Sequence, residues 1–226
     1  MTSFAHTAPS LASARLRRTP LATNATRLSA RRDSADTIAI MNTLSLSNQF
    51  LIAMPTLEDP NFQRTVTYIC EHTGQGAMGI VINRPLTLTL GEVLQHMHID
   101  AEDPQARQHT VFMGGPVQTE RGFVLHAPAG EWDSTLRISD SLALATSKDI
   151  LEVIAHGKGP RDIFVALGYA GWGAGQLEQE MADNVWLSGP ADNQIIFQTP
   201  WQRRWEAAAA LMGVDVTQLS TQIGHA

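Results

Sequence analysis

The sequence predicts a single sheet-centred domain in which short strands alternate with short helices, and three observations predict it. Short apolar runs recur between turn residues along the chain, the signature of strands rather than of long helices. The stretch Asn48 to Pro85, NQFLIAMPTLEDPNFQRTVTYICEHTGQGAMGIVINRP, packs three such runs and two turn-rich breaks into one segment. Helix-start signals then punctuate the strands that follow, with a T-x-x-E spacing at Thr89 to Glu92 and a Thr199-Pro200 pair near the end.

Taken in order, Phe50 to Met54 is a strand stopped by Pro55, and Asp59-Pro60 initiates a turn. Arg64 to His72 alternates as a half-buried strand requires, with Val66, Tyr68 and Cys70 on one face and Thr65, Thr67 and Glu71 on the other. Gly74-Gln75-Gly76 supplies a hairpin turn into the apolar run Met78 to Asn83. The capping box at Thr89 opens a helix to about His98, and the segment Asp100 to Gln108 reads as a loop. Thr110 to Met113, Arg121 to His126 and Thr135 to Ile138 follow as strands, and Ser147 caps a helix carrying Ile150, Leu151, Ile154 and Ala155 on one face. Ile163 to Leu167 is a strand covered on both faces, and Gly168 to Gly175, GYAGWGAG, is a glycine-dense loop. A helix over Gln176 to Asn184, strands at Asn184 to Leu187 and Ile195 to Gln198, and a last helix from Thr199-Pro200 to Gly213 complete the reading.

The chain has 226 residues, 43% of them hydrophobic, enough for one domain with a real core. No run of eighteen apolar residues occurs, so no membrane span is expected. Of a net charge of −6, residues 1–40 hold six Arg, no Lys and two Asp, so the remaining 186 residues carry −10. A body of that sign repels phosphate backbones, and direct DNA binding is not expected. Gln202, Arg203 and Arg204 on the last helix are the only hint of a basic surface, and Trp201, Trp205 and the alanine run beside them point to packing. The single cysteine, Cys70, forms no internal disulfide and permits a reducing compartment; on the apolar face of its strand it reads as an inert core thiol. Residues 1–40 lack an apolar h-region and are no secretory signal. Their Arg- and Ser-rich character partly fits a transit peptide, but globular patterning starts at Met41, which favours an over-long start or a disordered leader. The expected organisation is a leader over 1–40 and one domain over 41–226.

The phrases FLIAMPTLEDPNFQRTVTYICEH, GAMGIVINRP, VFMGGPV, RGFVLHAP and GYAGWGAGQLEQEMADNVW occur in this order over Asn48 to Met212, and through them the chain resembles the bacterial YqgE/AlgH family. The resemblance implies an α+β fold, a single domain whose bifurcated, partly barrel-like mixed sheet is surrounded by helices. For function it implies only a label, transcriptional regulator, with no reaction, ligand or DNA-contacting element attached.

Candidate sites fall into two groups. Charged and polar residues at strand ends, namely Arg64, Glu71, His72, Asn83, Arg84, Arg121 and His126, form a polar pocket or a structural ion-pair cluster if the strands align, and the structural cluster is the favoured reading because charged rims on sheets are common; either histidine becomes a general base if a carboxylate orients it. The glycine segment Gly171, Trp172, Gly173, Gly175 with Glu178 follows a strand and precedes a helix, the context of an anion site. Its spacing is G-x-G-x-G, and Glu178 and Glu180 oppose an anion, so a structural role with Trp172 as a packing plug is the favoured reading. His96 and His98 point apart on a helix and lack a third ligand, so no metal is expected, nor any cofactor. The sequence thus points to a cytoplasmic regulatory or binding module acting through a protein or small-molecule partner. The alternatives are an enzyme built on the Arg/Glu/His cluster and a DNA-binding regulator.

Overall fold

The structure, a computed structural model, describes residues 45–215; the expected leader over 1–40 lies outside the described residues. Among the described residues ten strands form one mixed sheet, with β1 (Gln49–Ala53), β2 (Val66–Thr73), β3 (Gly76–Val81), β4 (Pro85–Thr89), β5 (Thr110–Met113), β6 (Val117–Ala127), β7 (Thr135–Arg137), β8 (Ala143–Ala145), β9 (Asp162–Gly173) and β10 (Trp186–Pro190). The main path runs β10-β1-β2-β3-β9-β6-β8-β7, with β5 joining β9 and β4 joining β5. Among the described residues only the β5–β9 pair is parallel.

The sheet forks along β9. Its first half lies beside β5, with Val111 opposite Val165 and Met113 opposite Leu167, while its second half lies beside β3, with Gly79 opposite Ala170 and Gly76 opposite Gly173. The change of neighbour falls at Gly168, whose φ of +72° only glycine adopts cheaply. A Cβ there would stand 2.5 Å from the Gly115 carbonyl oxygen. Gly168 also shifts the alternation: Phe164 and Ala166 face one core, and after the glycine Tyr169 takes that face.

Helices cover the faces. The inner core gathers Phe50, Ile52, Tyr68, Ile80, Phe123, Leu125 and Phe164 from the sheet with Ile195, Ile196 and Trp205 from α5 (Asn193–Phe197) and α6 (Arg204–Leu211). Alternate residues of β6 and β9, Val124 and Val165, pack against α1 (Leu90–His96), α2 (Pro104–Gln108) and α3 (Lys148–Ala155). Alternate residues of β1 and β2, Leu51 and Ile69, pack with Trp172 and Trp186 against Leu177 of α4 (Gln176–Ala182).

Several expectations need correction. The glycine segment is strand through Gly173, not loop, because Gly168 and Gly115 permit backbones to pass in contact and let β9 continue. The expected strand Ile195 to Gln198 is helix through Phe197: Asp192 accepts from the Gln194 N–H at 2.7 Å, and this cap turns the apolar run helical. Part of the expected loop Asp100 to Gln108 is α2, capped by Asp103 with Pro104 at its first position. The last helix begins with a 3₁₀ turn, Trp201–Arg203, and Thr199 donates backwards to the Gln194 carbonyl instead of capping forwards. Strand β2 is buried on both faces from Val66 to Cys70, not half-buried. Strands β4 and β8 have no sequence counterpart above. The capping box at Thr89 and Glu92 forms as its spacing requires.

Candidate functional site

A β-bulge aims the first site residue. Along β2 and β3, Tyr68 faces Ile80 and Ile69 faces Gly79, but the next pair is Glu71 with Met78, which leaves Cys70 as the extra residue. The bulge reverses the alternation read from sequence. Glu71 therefore turns towards the inner face, into an open cavity of about 680 Å³, and His72 turns towards α4.

A second irregularity aims the other charge. On β6, Val117 pairs with Tyr169 and Gly122 with Leu167, so Gln118 to Arg121 stand opposite Gly168 alone. Arg121 leaves this excursion for the same cavity, its guanidinium 5.6 Å from the Phe123 ring centre. It donates to Thr146 Oγ1 at 3.2 Å and to Gln118 Oε1 at 3.4 Å, both uncharged acceptors. Neither Arg121 nor Glu71 forms an ion pair among the described residues. Met78, Leu136 and Tyr169 supply apolar surface, and Gly171 and Trp172 complete the wall. Four of the residues singled out in the sequence thus meet here: Glu71, Arg121, Gly171 and Trp172.

The remainder lie elsewhere. Arg64, Asn83 and Arg84 meet near the start of β2, where Asn83 accepts from the Val66 N–H at 2.9 Å and donates to the Arg64 carbonyl at 2.8 Å. Arg84 donates to the Gln63 carbonyl, and the Arg64 guanidinium lies over Trp205. These bonds join backbone to side chain and hold the strand end. His72 Nδ1 accepts from the Leu46 N–H at 3.0 Å, so Nε2 carries the proton and donates to Glu178 Oε1 at 2.8 Å. His72 and Glu178 thereby pin α4 to β2. Glu178 titrates below the usual carboxylate range, chiefly through its own backbone N–H and then through His72. His126 is buried, donates from Nδ1 to the Pro128 carbonyl at 3.1 Å, and is held below its ordinary pKa by desolvation. Gly173 donates its N–H to Gln176 Oε1, and Gly175 is the left-handed residue before α4.

Two functional-looking residues carried little signal in the sequence. Glu180, which looked hostile to an anion, accepts with Oε2 from both Trp172 and Trp186 indole N–H groups. Arg204 is buried between Phe112 and Phe164, its guanidinium 5.1 and 5.3 Å from their ring centres, and donates to the Ile82 and Thr199 carbonyls. Burial pulls it down to about 10, so it stays protonated at neutral pH. Its exchange of a surface role for a buried one removes half of the basic hint on the last helix. The Cys70 thiol is raised far above its ordinary range by burial and then by Glu71. Among the described residues no His, Cys, Asp and Glu are grouped to hold a metal ion, and no helix is long and apolar enough to cross a membrane.

A forked mixed sheet, helix-covered on its outer faces and opening on the inner face to a cavity lined by Arg121 and Glu71, defines an α+β half-barrel domain. The model of the AlgH-like family matches residues 50–217, and the chain belongs to that family. A UPF0301 protein of Nitrosococcus oceani is 59% identical over 179 residues, 79% of this chain and 96% of the relative. Another from Thioalkalivibrio sulfidiphilus is 61% identical over 182 residues, 80% and 97% of the two chains. The solution structure of the AlgH protein from Pseudomonas aeruginosa superposes with a TM-score of 0.68 at 53% identity, covering 81% of this chain and 97% of that one. A crystal structure of a Corynebacterium diphtheriae protein, 18% identical, shares the fold with a TM-score of 0.61.

Proposed function

We propose that the protein is a cytoplasmic binding module that takes a small anionic molecule in the cavity of Arg121 and Glu71, and that it acts by binding rather than by turnover. The observation that carries this reading is the Arg121 guanidinium, which lines a ligand-sized cavity with only uncharged hydrogen-bond partners. A guanidinium in that state retains donors for a carboxylate or phosphate. Phe123, Tyr169 and Met78 offer surface to an apolar or aromatic body. Glu71 on the same cavity wall opposes dianions and leaves monoanions and zwitterions favoured. Support for binding over turnover comes from the histidines: Glu178 orients His72, but the Nδ1 lone pair of that ring is spent on the Leu46 N–H, while His126, whose Nε2 has no partner, is fully buried and does not line the cavity.

The test is a thermal-shift screen of small carboxylates and phosphates, with calorimetry on those that stabilise the protein. Arg121→Gln should weaken their binding about tenfold or more, the loss expected for a charge-assisted hydrogen bond. Finding no stabilising anion, or finding one whose affinity Arg121→Gln leaves unchanged, defeats the proposal.

A further inference from the structure

Strand β6 has a second wall. Where Arg121 and Phe123 face the inner cavity, Glu120, Gly122 and Val124 face a different one, of about 560 Å³, enclosed between the sheet, α1 and α3. Its body is apolar: Val93 and Met97 from the α1 side, Leu151 from α3, and Val124, Val165 and Leu167 from the sheet. Gly122 matters most here. A Cβ built on it would meet nothing within 4 Å, so the strand position facing the two helices lacks the side chain that would fill the well. Its backbone φ lies outside the left-handed region, so conformation does not demand glycine there.

The mouth has a sign. Lys148 lies there, but its Nζ is already held by Glu152 at 3.0 Å. Glu120 lies there too, exposed and without an ion pair or hydrogen bond among the described residues. His96 donates from Nδ1 to the Glu92 carbonyl at 3.1 Å, which leaves Nε2 of the neutral ring as an acceptor. The mouth therefore offers two free acceptors, one of them a carboxylate, beside a cation already neutralised.

We infer that this cavity is a second ligand site, for a compact apolar molecule bearing a protonated amine, with the hydrocarbon body in the well against Gly122 and the ammonium on Glu120. The site is separate from the one proposed above and differs in charge: that cavity holds the Arg121 guanidinium together with Glu71, whereas this one offers the Glu120 carboxylate beside a lysine already paired with Glu152. The two share only Thr146 among their lining residues.

The experiment titrates the full-length protein with a matched series, 2-naphthylethylamine, 2-naphthylethanol and 2-naphthylacetic acid, read by calorimetry and by protein NMR shifts. Saturable binding is expected in the order amine, alcohol, acid, with the amine about tenfold tighter than the acid. Gly122→Leu should fill the well and abolish binding of all three while the melting temperature holds or rises. Glu120→Gln, an exposed change that leaves the well intact, should bring the amine down to the affinity of the alcohol. Arg121→Gln should leave amine binding unchanged, which separates this site from its neighbour. Absence of saturable binding by the whole series overturns the inference. So does an acid that binds as well as the amine, an amine indifferent to Glu120→Gln, or, should Gly122→Leu fold, binding that survives it.

Discussion

The Oε2 atom of Glu180 accepts from Trp186 Nε1 at 2.8 Å and from Trp172 Nε1 at 2.9 Å, while Oε1 accepts from Gln176. Both indoles are buried, so removing the carboxylate leaves two donors without acceptors. Glu180→Ala should cost about 2–4 kcal/mol and Glu180→Gln, which keeps one acceptor oxygen, about 1 kcal/mol. Urea midpoints decide it; an alanine variant as stable as the wild type would show that the indoles are satisfied otherwise. A second residue-scale effect follows from His126. Desolvation lowers its pKa in the fold below the ordinary 6.5, so below that pH the unfolded chain binds the proton more readily than the folded one. Stability from this group is therefore complete above the unfolded pKa and falls as the pH drops below it, until the folded imidazole also protonates. His109, lowered by burial and then by Arg204, acts in the same direction. The loss of stability between about pH 7 and about pH 5 should shrink, though not vanish, in His126→Gln. An undiminished loss would place the acid sensitivity on other groups.

At the scale of elements, Gly168 decides where the sheet forks. Alanine there combines a positive φ with a Cβ 2.5 Å from the Gly115 carbonyl oxygen, so Gly168→Ala should destabilise by at least about 2 kcal/mol. Gly173→Ala, whose Cβ meets only Gln176 Oε1 at 3.9 Å, should stay within about 0.5 kcal/mol of the wild type. Equal melting temperatures for the two variants would refute the assignment. These glycines also mark how far the sequence could be read. Glycine density at Gly168 to Gly175 is a loop signal by local propensity, yet close backbone contact with Gly114 and Gly115, residues far away in the chain, converts it to strand. The hairpin at Gly74 to Gly76 and the capping box at Thr89 were legible because each is closed by its own neighbours. The directions of Glu71 and His72 were not, since the bulge at Cys70 is set by pairing with β3 and strict alternation sends both side chains to the wrong faces. Arg121 was visible as a charge at a strand start; that its partners are uncharged depends on Gln118 and Thr146, brought beside it by the excursion of β6 and by the strand end at β8.

For the whole molecule, net charge weighs against one class of partner, the nucleic-acid duplex. The 186 residues after the first 40 carry −10, and a duplex binder must instead neutralise several phosphates with clustered Lys and Arg. The basic candidates in this fold are dispersed. Arg204 is buried between two phenylalanine rings, the Arg64 guanidinium lies over Trp205, and Arg84 is bonded to the Gln63 carbonyl. Arg161 is paired with Asp162 at 2.7 Å and Lys148 with Glu152. Against that pattern the acidic surface raises the free energy of bringing a polyanion close, and a Debye length of about 8 Å at physiological salt does not screen charges in direct contact. Titrating labelled random-sequence duplex with the full-length protein should therefore give no binding at micromolar concentration and physiological salt. Lowering the salt should not bring out a complex with the steep dependence of counterion release, because few phosphates can be neutralised at once. A salt-sensitive shift that Arg203→Ala or Arg64→Ala weakens would reverse this expectation and place a nucleic-acid surface on the face shared by the last helix and the start of β2.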